Sequence, residues 1–451
     1  MMATTLSMNQ PYQDSSVECD SALFDCFSPE KQDNTIQSVS TMELTPSPPI
    51  TPTSKAITFR VDALSDFLQI SETRLELDLK ITDNQGGNLP APTQGSAGPP
   101  VVPAFLGCGF INSIGATIIK TLEIRIDNVL ISSLDPYYAE LANMLINLAY
   151  TRDCMDTKLE TIGCFREADP NCRDAFTPLS GFYKRCQFTN ESHVWRVSSP
   201  IFSPLMSQAR ILMPMLKIEF TFYLHEPEYV LLSAQASPTY QYRVVGAKMT
   251  FRRVKTSPDY QLAFEQKLMA KPCRYPIDNY YIKSFLINAG QLEYVANDVF
   301  TSSFLPGQAY VFLSSNISAS YTTSPLDYPP HAVKDIYFTV NQERSPTVPF
   351  DVDYANNQYV RAYNSLYGDD IWSDTSSIID YTMYGAHYCI YRFDLGQSAP
   401  CNGAFKVKKL AQCSLHIKFA NNNNPNLKVF ILAITQEVIE INAQRQVIKS
   451  F

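Results

Sequence analysis

The chain has 451 residues, 45% of them apolar and only 18% charged, with 30 prolines, 16 glycines and a net charge of −8. That apolar share excludes a wholly disordered chain, the glycine count excludes collagen, and the negative balance excludes a protein built to neutralise nucleic-acid phosphates. The 26 Tyr and 26 Phe, with so few charges, point to pleated surfaces and to broad faces buried against other copies.

The charge is uneven. Residues 1–56 hold seven acids and two lysines, a net of −5 that leaves −3 for the rest. Residues 1–55 are expected to be a disordered, acidic, Ser/Thr/Pro-rich arm ending in Thr45-Pro46-Ser47-Pro48-Pro49, which can form neither helix nor central strand. Its short apolar patch, Leu23, Phe24 and Phe27, could dock somewhere. Lys31 is the first basic residue and no apolar run reaches the ~20 residues of a membrane span, so neither a secretory signal nor membrane insertion is expected. The eleven cysteines then read as free thiols, and the acceptor patterns at Asn190 and Asn316 as chance matches.

Regular structure is expected from near Ile57. Leu75, Leu77, Leu79 and Ile81 alternate with Glu76, Asp78, Lys80 and Thr82, a strand with one face on a core. A Gly/Pro-rich loop covers 83–103. Leu122, Ile124 and Ile126 form a second alternation ending at the turn Asp127-Asn128, with Val129 to Ile131 as the returning arm. Asp135-Pro136 should open a helix striped by Tyr138, Leu141, Leu145 and Leu148, with Pro136 in the first helical position. Residues 151–200 read as irregular. Leu216 to Leu224 alternate again, and Tyr242 to Val254 reads as one or two strands.

Ser257-Pro258-Asp259 starts a second helix with Tyr260, Phe264 and Leu268 on one face, ended by Lys271-Pro272. The β pattern then resumes to the end of the chain. The fold is therefore read as all-β, in four parts: the arm 1–55, a first domain 56–256, a connector helix 257–271 and a second domain 272–451. Any duplication would lie in the fold, since no short repeat is visible.

No residue is assigned a catalytic, cofactor-binding or metal-binding role. The five histidines are scattered, and His225 and His416 sit in or beside strand patterns, where packing is the default. Cys154, Cys164, Cys172 and Cys186 lack the close pair that fixes a zinc knuckle. Gly107-Cys108-Gly109 has no following phosphate-loop pattern. Asp369, Asp370 and Asp374, beside Trp372, lack calcium-loop spacing and read as a solvated loop. Asn421 to Asn424 reads as a turn.

Ordered segments over about 57–448 resemble a family. They are Phe67 to Ile81, Ile111 to Ile131, Tyr137 to Asn147, Gly181 to Arg185, Ile211 to Leu224, and above all Tyr242 to Pro276, a strand running into a helix and then Tyr-Pro. Tyr359 to Leu366, Phe393 to Leu395, Ile417 to Ala420 and Val438 to Ile441 follow. In this order they resemble the double jelly-roll, hexon-like major capsid proteins of Polinton/Maverick elements and adintoviruses. The resemblance implies two tandem jelly-roll β-sandwich domains joined by a short helix. It also implies a structural, non-enzymatic capsid protein of a DNA virus, without cofactors.

The implied partners are two further copies in a homotrimer, neighbouring capsomers, and penton and minor capsid proteins, with no sequence-specific nucleic-acid binding. The implied place is the virion, after assembly inside the host cell. Trimers of such a chain would be pseudo-hexagonal and would tile an icosahedral shell. Leu75, Leu77, Phe220 and Phe222 would line the first core, and Ile336, Phe338, Leu415 and Ile417 the second. The loops 83–112, 151–200 and 345–390 would rise to the outer surface. The alternatives are a carbohydrate-binding or adhesive double β-sandwich, a β-sandwich hydrolase, and a capsid-derived protein retained by a host without a particle-forming role.

Overall fold

The computed structural model describes residues 34–51, 54–89, 107–134, 136–174, 180–233, 240–300, 305–367, 377–396 and 410–450. Two β-sandwiches follow one another along the chain. In the first, one antiparallel sheet runs β1 (Ile36–Leu44), β10 (Tyr240–Thr256), β3 (Phe67–Asp83), β7 (Trp195–Pro200). The facing sheet runs β2 (Ala56–Val61), β8 (Ile218–Leu224), β5 (Ile119–Ile126), β6 (Val129–Leu134). A small pair, β4 (Cys108–Phe110) with β9 (Leu231–Ser233), closes one end.

In the second sandwich the sheets run β11 (Cys273–Ile287), β18 (Leu427–Ile441), β13 (Gln308–Ser314), β16 (Ile390–Asp394) and β12 (Glu293–Ala296), β17 (Cys413–Phe419), β14 (Val333–Val340), β15 (Glu343–Ser345). A last strand, β19 (Val447–Ser450), pairs with β18. With β4, β9 and β19 set aside, each sandwich has eight strands. Counted within each unit, both sandwiches have the order 1-8-3-6 in one sheet and 2-7-4-5 in the other. That is the nested Greek-key permutation of a jelly roll, written twice.

Period-two alternation builds the cores. Leu75 is 2% exposed, and Leu77, Leu79 and Ile81 are fully buried, because over this stretch of β3 the odd positions turn to the core. Phe220 and Phe222 join them, and Ile336, Phe338, Leu415 and Ile417 fill the second core as expected. Each such side chain contributes roughly 2 kcal/mol of burial. The turn Asp127-Asn128 takes positive φ at both positions (46° and 68°), the form that joins two-residue hairpins.

The connector is α3 (Pro258–Ala270), numbered after α1 (Tyr138–Ala149) and α2 (Gly181–Thr189). Ser257 caps α3 by accepting the Tyr260 amide, and Pro258 occupies the first turn, where its missing N–H costs nothing. Leu268 is buried, and Phe264 packs edge-on against Phe67 at 5.1 Å.

Three expectations need correction. Residues 36–44 lie inside the region read as an arm, yet they form β1, the first strand of the first jelly roll. Its side chains are almost all exposed, so no alternation marks it. The free edge of β10, paired from Ile36–Thr256 to Leu44–Met249, makes it a strand. Residues 1–33 lie outside those described. In α1, Pro136 stands one place before the N-cap Tyr137 and is not the first helical residue; Asp135 lies outside the described residues. Residues 151–200 are not irregular throughout: they hold α2 and β7. Helix α2 escaped notice because its buried face carries Arg185 beside Phe182 and Cys186, which breaks the apolar period.

Candidate functional site

The long insertions of both sandwiches meet at one end. They are the described parts of the connections β3 to β5, β6 to β7, β13 to β14 and β15 to β16, joined by Arg185 to Phe110, Asn171 to Asp327 and His387 to Asp327. Those of the first sandwich are organised around Arg185 of α2. Its guanidinium donates to Glu167 Oε2 at 2.7 Å, to the Phe110 carbonyl at 2.7 Å and to Asn112 Oδ1 at 3.3 Å. Neither partner of this ion pair is more than 3% exposed. Glu167 Oε1 also accepts the Phe182 amide, and Asn112 bridges both backbone groups of Phe165. Burial pushes the Glu167 carboxyl up, and Arg185 opposes this. Gly109 must be glycine here, because a Cβ would sit 2.6 Å from Cys186 Sγ.

The two sandwiches are sealed along a polar and aromatic seam. Helix α1 fills its middle, buried on nearly every side. Tyr137 shares a 2.7 Å hydrogen bond with Ser284 of β11 and packs edge-on against Phe430 of β18, with the Lys428 ammonium over both rings. Glu140 and Asn143, on the same helix, lie among Tyr229 and Tyr328, and burial raises the Glu140 carboxyl to about 7.

At the loop end, Asn171 donates to Asp327 at 2.6 Å and accepts the Ser324 amide at 2.7 Å. His387 Nδ1 lies 2.9 Å from Asp327, and its Nε2 lies 3.6 Å from Asp169, so the imidazole stands between carboxylates of the two sandwiches. The Asp327 hydrogen bond raises its pKa. Arg152 pairs with Asp380 at 2.6 Å beside a cleft of about 600 Å³ that Tyr363 and Tyr367 also line. At the opposite end, Tyr275 OH accepts the Met213 amide, and Arg210 reaches the Arg274 carbonyl at 2.6 Å.

Tyr359 to Leu366 forms a short helix, α4 (Val360–Ser365), beside α5 (Tyr381–Ala386). Together they stack Tyr354, Tyr359, Tyr363, Tyr381 and Tyr384 into one cluster, anchored by Tyr354 OH at 2.6 Å from Tyr391 OH. These contacts hold loops in place.

Among the described residues, those singled out for chemistry form no metal-type cluster, although His331 and His387 both neighbour Asp327. His225 stacks on Tyr229 at 3.5 Å and burial lowers its pKa to about 3, while His416 stacks on Tyr337 at 4.8 Å. Burial holds the Cys164 thiol up to about 11 and the Cys186 thiol up to about 12, which disfavours the thiolate a metal needs. Among the described residues, no three His, Cys, Asp or Glu side chains group as metal ligands. The eight described cysteines are unpaired. The acidic loop with Asp369, Asp370 and Asp374 lies outside the described residues. Sequence reasoning gave no role to Arg185, Glu140, Asn171 or His387, the last set aside as one of five scattered histidines. The family-like segments Gly181 to Arg185 and Tyr137 to Asn147 hold the first two.

No family model matches the chain. In sequence it is similar to the uncharacterized protein F54H12.2 of Caenorhabditis elegans, 24% identical over 368 residues, covering 80% of this chain and 84% of that protein. Solved structures are similar in fold along nearly the whole length. A chain of the Sputnik virophage is 12% identical and covers 97% of this chain and 93% of its own, with a TM-score of 0.60. The Faustovirus major capsid protein is 9% identical, covers 92% of each chain and has a TM-score of 0.55. VP54 of PBCV-1 is 10% identical, covers 94% of this chain and 99% of its own, with a TM-score of 0.56. The architecture here is therefore the double jelly roll found in viral major capsid proteins.

Proposed function

We propose that this chain is a hexon-like major capsid protein whose trimers tile an icosahedral shell. The observation that carries the reading is the doubled strand order, 1-8-3-6 over 2-7-4-5, with the two copies locked side by side by α1 and the seam. Three chains so built present six near-equivalent sandwiches around an axis, and a six-fold outline packs a plane without gaps. The working parts are shape and contact surface. The buried Arg185–Glu167 pair, the tyrosine cluster and the seam are rigidifying elements with no reacting partner. In the capsid reading, the loop end faces outward.

The Polinton/Maverick and adintovirus type is the kind of capsid gene we favour, on the order of the segments from Phe67 to Ile441. A second reading has one observation in its favour: the similar sequence comes from a nematode. A host-retained capsid derivative would keep the fold and lose the particle.

Light scattering and electron microscopy of the purified chain test the proposal. The expected species contains three copies of the 50.8 kDa chain and forms hexagonal arrays at high concentration. A strict monomer that forms no arrays overturns it. Trimers that never go on to shells, with or without penton and minor capsid proteins, favour the retained derivative.

A further inference from the structure

The cleft of about 600 Å³ at the loop end falls within the size range of small-molecule sites, ~300–1,000 Å³. Each sandwich supplies one wall. Thr151, Arg152 and Asp153 come from the β6 to β7 connection of the first, and Tyr363, Tyr367 and Asp380 from the β15 to β16 connection of the second. Neither sandwich alone has the site. The second wall is held by hydrogen bonds. Tyr363 and Tyr367 both donate to the Ile379 carbonyl, at 3.3 and 3.1 Å, and their rings meet edge to face at 5.3 Å. The Tyr367 hydroxyl also lies 2.8 Å from that of the buried Ser377, and Asp380 Oδ1 accepts the Met383 amide. A wall fixed in advance lowers the ordering cost of binding.

The first wall has polar capacity to spare. Arg152 spends one nitrogen, Nη2, on Asp380 Oδ2 at 2.6 Å, and its side chain is still 42% exposed. Its other two nitrogens have no hydrogen-bond partner among the described residues. The Asp153 side chain is exposed and has neither a hydrogen bond nor an ion pair among the described residues. These charges select the class of ligand. Asp153 and Asp380 oppose an anion, and Arg152 opposes a cation. A neutral ligand rich in hydroxyls meets neither penalty. Each hydroxyl both donates and accepts, so two neighbouring hydroxyls can take an N–H from Arg152 and give an O–H to Asp153 or Asp380. Tyrosine rings add an apolar body with a polar tip, a match for the C–H face of a pyranose.

We propose that this cleft binds a neutral, hexopyranose-containing glycan, held between the two sandwiches by Arg152, Asp153 and Asp380 and seated against Tyr363 and Tyr367. Binding does not rest on the capsid reading. That reading adds only that the cleft faces outward, where a cell-surface glycan reaches it.

Binding of the purified full-length chain to an immobilised panel tests this. The panel holds neutral oligosaccharides of glucose, galactose, mannose and N-acetylhexosamines, beside sialylated and sulfated counterparts. At least one neutral member should bind, and its acidic counterpart should bind more weakly. The neutral oligosaccharide that binds is then titrated by calorimetry into the wild type, an Arg152→Leu variant and an Asp153→Ala variant. Arg152→Leu should weaken binding about tenfold or more, as loss of a hydrogen bond from a charged donor does. Asp153→Ala should weaken it several-fold. That side chain has no protein partner to lose, so this variant decides alone should Arg152→Leu fail to fold. A panel without a neutral ligand, a preference for the acidic members, or unchanged affinity in either folded variant overturns the proposal. None of these outcomes depends on whether the chain forms trimers, so failure here leaves the capsid proposal standing.

Discussion

Arg185 carries a full charge where no water reaches it, held by Glu167, the Phe110 carbonyl and Asn112. A buried pair of this kind adds little net stability over an apolar pair, but breaking it is costly, because the surviving partner stays charged and dry. Arg185→Ala should therefore lower stability by about 3–5 kcal/mol, read as an earlier urea midpoint, and Arg185→Met with Glu167→Leu should recover most of it. If the single variant loses no more than the double, the Arg185–Glu167 pair does not organise these loops. The five-tyrosine stack differs in kind. Its rings bury area and its hydroxyls bond groups outside the cluster, Tyr354 to Tyr391, Tyr381 to the Asn357 carbonyl and Tyr384 to the Ile390 carbonyl, so single Tyr→Phe changes at these three should cost only about 1 kcal/mol each.

Among the elements, β1 and α3 show two ways of making structure. Strand β1 exists because β10 offers an open edge; its own side chains are exposed and it contributes backbone hydrogen bonds. Helix α3 exists because Ser257, Pro258 and Asp259 nucleate it and because Phe264 and Leu268 pack inward. Phe264 touches Phe67 at 5.1 Å, at the start of β3. Phe264→Asp would place a carboxylate against that ring, and we expect loss of soluble chain of normal size in gel filtration. A folded, normally assembling Phe264→Asp protein would show that the connector does not brace the two sandwiches.

For the molecule as a whole, the seam decides whether two jelly rolls behave as one body. It holds a carboxyl and an imidazole whose pKa is raised. Burial lifts Glu140 from 4.5 to about 7, with Lys428 and Tyr229 opposing the shift and Tyr328 alongside. Asp327, with Asp169, lifts His387 above 6.5. Each binds its proton more tightly in the closed seam than in the unfolded chain. The contribution of Glu140 is thus complete below pH 4.5 and lost as pH rises through about 7. That of His387 is complete below 6.5 and lost above its raised value. The melting temperature should fall as pH rises from 5 towards 8. Glu140→Gln, neutral throughout, should flatten the lower part of that slope, and His387→Gln the upper part. A pH profile identical in all three proteins would rule the seam out as its source.

The local parts were legible in the sequence wherever the physics is local. Alternation at Leu75 to Ile81, Phe220 to Leu224 and Leu415 to Phe419 marks strands because a side chain's face depends only on its parity. Ser257-Pro258 marks a helix start because capping involves near neighbours. The order of the segments was enough to anticipate two jelly rolls. Only the tertiary structure made Ile36–Leu44 a strand, since the edge that recruits it lies more than 200 residues away in β10. The same holds for Arg185, Glu140 and His387. A polar side chain in a sequence looks solvated until distant partners enclose it, and enclosure is a property of the packed chain alone.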